Sequence, residues 1–250
     1  MGHVFERWRK SSTLKKALMI SGLVMVALIV AVFIFVRLNT YQPLPVATAL
    51  LEASNVEETE DWLKLSTDLT EARLVFYPGG LVEPVSYLPL FEPLTNEGYE
   101  IYIMKMPFNL AILNTDAIEE LERHTSDDVP TYLSGHSLGG ASAALYLAEE
   151  PDAVDGLVLL AAYPAGSSDL SDVDFPVISV TASKDGILDW ETYEDSKVLL
   201  PDNTTYITIE GGNHANFGSY GTQAGDEKSD VTRMSQYAEI QNIFLNELGN

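Results

Sequence analysis

Residues 131–150, TYLSGHSLGGASAALYLAEE, constrain the fold of this chain more than any other stretch. A strand-like run, Val129-Pro130-Thr131-Tyr132-Leu133, leads to an alanine- and leucine-rich run at 141–149 through one serine framed by glycines. Ala and Leu favour helix, so the junction predicts a strand that reverses into a helix. Gly135-His136-Ser137-Leu138-Gly139 carries the G-x-S-x-G spacing. Small residues two positions either side of the serine let the backbone bend sharply and hold the hydroxyl proud of a sheet edge. A turn without chemistry could use Asn-Gly or Asp-Gly and avoid the crowding.

The same alternation runs along much of the chain. Apolar runs at 74–77, 99–106, 156–162, 177–182 and 206–210 read as strands, and 85–96, 115–124, 190–199 and 230–248 as helices. Gly98 ends the first of these helices and Asn114 caps the second. Continuous apolar strands separated by helices predict an α/β fold, a mostly parallel twisted sheet with helices on both faces. Connections are short and leave little room for a lid; residues 163–174, YPAGSSDLSDVD, form the longest polar loop between strands.

The N-terminus follows other rules. Residues 17–36, ALMISGLVMVALIVAVFIFV, run without a charge. At about 1.5 Å per residue, a helix of this length spans the roughly 30 Å of a bilayer core. Arg7, Arg9, Lys10, Lys15 and Lys16 precede it against Glu6, and only Arg37 follows closely. The positive-inside bias then keeps the N-terminus cytoplasmic and puts the rest outside the cell. Ala47-Thr48-Ala49 has the form of a signal-peptide cleavage site. The apolar run is too long for a signal, however, and Arg37 and Pro45 intervene. The expected layout is a cytoplasmic basic tail at 1–16, a single transmembrane anchor at 17–36, a stalk at 37–58 leading to a short helix, and the α/β domain at 59–250.

Of 14 Lys and Arg, six precede residue 41, as does one of 37 acids, which leaves eight basic and 36 acidic residues beyond it, a net of −28. Nucleic acid and anionic lipid surfaces would be repelled by such a domain. There are no cysteines, so neither a disulfide framework nor a thiolate zinc site is available. No G-x-x-x-x-G-K-[ST] spacing occurs either. The reading needs no cofactor and no metal.

A serine hydroxyl is a weak nucleophile and needs a base, which in turn needs an orienting carboxylate. The chain has four histidines. His3 lies before the anchor, His124 ends a helix upstream of the serine, and His136 sits in the elbow itself. His214, in Glu210-Gly211-Gly212-Asn213-His214, follows the last strand and is the candidate base. In a parallel sheet the loops leaving strand C-termini gather at one edge, where Ser137 is expected. Asp185 leaves the strand at 177–182 and precedes Gly186, so it is the candidate acid, with Asp189 as competitor. A developing oxyanion needs N–H donors. Leu138 supplies one, and the Pro78-Gly79-Gly80-Leu81 loop a second, for which Gly80 is the candidate and Leu81 the alternative.

The order Ser137, Asp185, His214, with an early Gly-Gly loop and GHSLGG at the elbow, resembles the α/β-hydrolase superfamily over about residues 60–248. YPGGLVEP through MPFNLAILN, and GGNHANFGSYG, resemble a group of lidless, membrane-anchored bacterial members described as hydrolases. Tyr77-Pro78 stands where lipases commonly carry His-Gly, and the cysteine nucleophile of dienelactone-hydrolase-like relatives has no counterpart. The resemblance implies a serine hydrolase, a carboxylesterase of small-molecule esters first. Amide, peptide or lipid hydrolysis on the same residues, and a surface binding module without catalysis, are the alternatives.

Overall fold

The computed structural model describes residues 13–122 and 129–248. The chain divides into two compact units between Thr40 and Tyr41. The first holds α1 (Thr13–Asn39), of which Lys15–Asn39 is long and apolar enough to cross a membrane, a test that a signal sequence also passes. Most of the expected basic tail, with His3, lies outside the described residues.

The second unit is built on eight strands. They are β1 (Val56–Glu58), β2 (Trp62–Leu65), β3 (Ala72–Tyr77), β4 (Tyr99–Met104), β5 (Thr131–His136), β6 (Gly156–Leu160), β7 (Val177–Ala182) and β8 (Thr205–Ile209). Their order is β1-β2-β4-β3-β5-β6-β7-β8. The pairings from β4 to β8 are parallel, while β1 and β2 are antiparallel at one edge. Three longer helices complete the unit: α2 (Leu138–Glu149), α3 (Trp190–Ser196) and α4 (Arg233–Glu247).

The unbroken apolar runs behave as expected, for β6 and β7 are buried at every position. Strand alternation then divides the core in two. Leu74 and Phe76 of β3 pack with Tyr237, Ile240 and Phe244 of α4. Val75 and Tyr77 point the other way, toward Ala143, Ala144 and Leu147 of α2. Burying each large side chain stabilises the fold by about 1.5–3 kcal/mol.

Three segments depart from expectation. The helix expected at 85–96 is a chain of short turns, Pro84–Tyr87, Leu88–Phe91 and Glu92–Glu97, ending at Gly98 with φ 83°. Pro84, Pro89 and Pro93 lack the N–H groups a continuous helix needs. Of the helix expected at 115–124, residues 115–118 form turns and Glu119–Glu122 are helical, while residues 123 and 124, with His124, lie outside the described residues. Here the Tyr77 hydroxyl donates to the Thr115 carbonyl (2.8 Å) and accepts from the Ile118 N–H (3.0 Å), diverting backbone groups that a helix would use. Finally, the segment expected as a stalk at 37–58 is partly sheet. It makes helical turns at Pro45–Thr48 and Ala49–Glu52, then forms β1 on β2, two strands too short to show a period.

Register sets where the loops emerge. Tyr77 pairs opposite Gly135, His136 opposite Leu160, and Ala182 opposite Ile209. The loops carrying Gly80, Ser137, Asp185 and His214 therefore leave one edge of the sheet.

Candidate active site

Ser137 sits between β5 and α2 with φ 52° and ψ −120°, a left-handed conformation that costs about 1–3 kcal/mol outside glycine. Its neighbours make the bend possible. A Cβ at Gly135 would run into the Gly139 backbone, and one at Gly139 into the Tyr77 carbonyl. The Ser137 N–H donates to the Leu160 carbonyl at 2.9 Å, which ties the elbow to β6. Leu138 opens α2, so its own N–H has no acceptor within the helix.

The sheet edge also carries a buried, hydrogen-bonded histidine–carboxyl pair. His214 Nδ1 lies 2.7 Å from Asp185 Oδ2, the side chains being 2% and 0% exposed. Asp185 Oδ1 accepts from the Ile187 and Leu188 N–H groups, both at 2.8 Å, so the carboxylate is fully engaged. An acid that only accepts fixes the His214 proton on Nδ1 and leaves Nε2 as an acceptor. Asp189 does different work: exposed, it accepts from the Thr192 N–H at 3.1 Å as the N-cap of α3. Among the described residues no hydrogen bond joins the Ser137 hydroxyl to His214. His136, the residue before Ser137, has its ring centroid 4.6 Å from that of His214.

The glycine loop after β3 separates its two possible donors. The Leu81 N–H donates to the Asn109 carbonyl at 2.7 Å. The Gly79 N–H donates to the Tyr87 hydroxyl at 2.9 Å. Between them the half-buried Gly80 N–H has no acceptor among the described residues. A Cβ on Gly80 would lie 3.1 Å from Leu138 Cδ2, so Gly80 packs against the Leu138 side chain. Leu81, Phe108 and Asn109 all have positive φ, and Phe108, Ile112 and Leu113 expose apolar side chains on the segment bonded to this loop.

Three sets of contacts around these residues escaped the sequence reading. Asp226 clamps two loops: Oδ1 accepts from Gly186 N (3.1 Å) and His214 N (3.4 Å), and Oδ2 from Ala215 N (2.8 Å). Gln236 of α4 holds the Asn213 peptide on both sides, accepting from its N–H at 3.1 Å and donating to its carbonyl at 3.0 Å. Tyr87 and His136 are the third, a buried pair 2.9 Å apart through the tyrosine hydroxyl and Nδ1. Burial and the neighbouring His214 hold His136 well below the usual histidine range, opposed only in part by the His214 backbone. The motif pointed to His136 as an elbow residue; nothing local marked Asp226, one acid among 37.

A family described as the alpha/beta hydrolase family matches residues 73–238. No curated protein matches the chain. Among solved structures, a CIB-like hydrolase from Thermoplasma acidophilum is similar at TM-score 0.57 and 15% identity, over 74% of this chain and 91% of that one. A thermophilic esterase from the planctomycete Thermogutta terrifontis is similar at TM-score 0.57 and 16% identity, over 79% and 94%. A monoacylglycerol lipase from Paleococcus ferrophilus is similar at TM-score 0.57 and 14% identity, over 72% and 97%.

Proposed function

The chain belongs to the alpha/beta hydrolase family, and on that premise we propose that it is a serine hydrolase of carboxylic esters. Ser137 attacks the ester carbonyl, His214 Nε2 takes its proton and later returns it to the leaving alcohol, and Asp185 orients the imidazole and stabilises its charged form. The Gly80 and Leu138 N–H groups receive the oxyanion. Water then hydrolyses the acyl-serine by the same proton path. The observation that carries the reading is the buried 2.7 Å His214–Asp185 contact at the edge that also bears the strained Ser137.

The substrate is a small ester with an apolar group. The exposed Phe108, Ile112 and Leu113 beside the Gly80 loop favour that choice in a domain otherwise strongly acidic. The same feature supports a second reading, hydrolysis of a lipid ester. Amide hydrolysis uses the same acyl-serine chemistry, and a chain-length series of p-nitrophenyl esters alongside matched anilides separates these substrates.

The decisive experiment is labelling with a fluorophosphonate. Wild type should label at Ser137 and hydrolyse simple esters. Ser137→Ala should do neither, with stability changed by no more than about 1 kcal/mol. Turnover retained by Ser137→Ala would remove Ser137 as nucleophile, and an unlabelled, inactive wild type would favour a binding module.

The protein is held in the cell membrane by α1, with its hydrolase domain outside. The charge-free run in 17–36 and the basic residues before it support this placement. Protease added to spheroplasts should remove the domain and spare the N-terminal tail; protection until lysis would reverse the orientation.

A further inference from the structure

Tyr87 and His136 are buried beside the site, and the hydrolytic steps use neither. Tyr87 is fully buried, and its hydroxyl touches two groups at 2.9 Å, the Gly79 N–H and His136 Nδ1. Proton counting sets the direction of the second contact. Gly79 can only donate, so the tyrosine oxygen accepts there. If Nδ1 also donated to it, the phenol proton would be stranded in the core, along with the lone pair on His136 Nε2, which has no partner among the described residues. If the phenol donates to Nδ1, only the Nε2 proton lacks a partner. Each stranded buried group is costly, so the second arrangement prevails. The relay runs from Gly79 N–H to the Tyr87 hydroxyl to His136 Nδ1.

Both ends of the relay are anchored. The His136 ring stacks on Phe217 at 5.4 Å and 25°, and the Tyr87 ring packs on Phe76 at 4.6 Å. His136 is the residue before Ser137, and Gly79 the residue before Gly80. A Cβ at Gly79 would come within 2.7 Å of His136 Nδ1, so only a glycine permits this approach. We infer that Tyr87 and His136 are positioning residues that pin the Gly79-Gly80 backbone against the Ser137 elbow and thereby preset the Gly80 N–H for the oxyanion. The inference rests on the ester-hydrolase reading above.

The test compares variants of the full chain that already labels with fluorophosphonate. Tyr87→Phe keeps the ring packing and deletes the hydroxyl. It should lower kcat about 10²-fold with KM little changed, the effect of a misplaced oxyanion donor. Affinity for a trifluoromethyl ketone, which adds to serine as a tetrahedral oxyanion, should fall in parallel. His136→Asn, whose amide oxygen can accept near the Nδ1 position, should lose less than about tenfold, and His136→Leu about 10²-fold. Nitrogen-15 shifts of wild-type His136 should show the proton on Nε2 alone. Wild-type kcat in Tyr87→Phe, a loss carried by KM with inhibitor affinity unchanged, or a proton on Nδ1 would overturn the inference while leaving the hydrolase reading intact. Failure of the wild type itself to label and turn over would instead sink the hydrolase reading, and the inference with it.

Discussion

Asp185 and Asp189 lie four residues apart in one loop and share a side chain, yet they live in different physical worlds. Asp185 is buried, and it accepts from His214 and from two backbone N–H groups. Asp189 faces solvent and holds only the first turn of α3. The difference teaches that a carboxylate's task follows from its burial and its partners. A buried acid bonded to a histidine can set a tautomer and stabilise a charge; an exposed one at a helix start supplies an acceptor and little else.

The sharpest way to break this contrast is to neutralise the buried acid. Asp185→Asn should lower kcat by about 10⁴-fold, because an amide no longer holds His214 in the required tautomer. Steady-state kinetics with a p-nitrophenyl ester would show it, and a fully active Asp185→Asn would detach Asp185 from the proposed chemistry. A smaller effect is expected at Asp226, which ties the Gly186 turn to the His214 turn. Asp226→Ala should cost roughly tenfold in kcat by loosening the geometry of the pair it braces. Unchanged kinetics would show that the two loops keep their places without it.

The smallest effect belongs to Asp189. Asp189→Ala should retain most activity and lower Tm by about 2–4 °C, as loss of an N-cap does. The Thr192 backbone N–H, and after it the Thr192 side chain, holds the Asp189 carboxyl below the usual aspartate range. A depressed folded pKa stabilises the fold above the unfolded value of about 3.9, and that contribution is lost as pH falls through the folded pKa. The Tm gap between wild type and Asp189→Ala should therefore close in strong acid. A gap that persists there would show that Asp189 acts through something other than its charge.

Much of the architecture was legible in local pattern. The run at 177–182 is β7 to the residue, and the run at 156–162 contains β6. Both are buried on two faces, which makes their hydrophobic signal continuous. The short strands β1 and β2 were not legible, because three or four residues carry no usable period. The segment at 115–124 carried a helical pattern, but tertiary bonds to the Tyr77 hydroxyl displace it at residues 115–118, and helix forms at Glu119–Glu122.

The candidate site divides along the same line. The sequence by itself determined the glycine-framed Ser137, the chain order of Ser137, Asp185 and His214, and an early glycine loop. Spacing of a few residues encodes a bend, and strand ends in a parallel sheet share an edge. Only the tertiary structure shows that the Leu81 N–H is taken by the Asn109 carbonyl, which comes from a different loop, while the Gly80 N–H has no acceptor among the described residues. It alone joined Tyr87 to His136, 49 positions apart, and Asp226 to Gly186, 40 apart. Such bonds depend on how packed elements meet in space, and a hydrogen bond made at that distance along the chain leaves no periodic or local trace in the sequence.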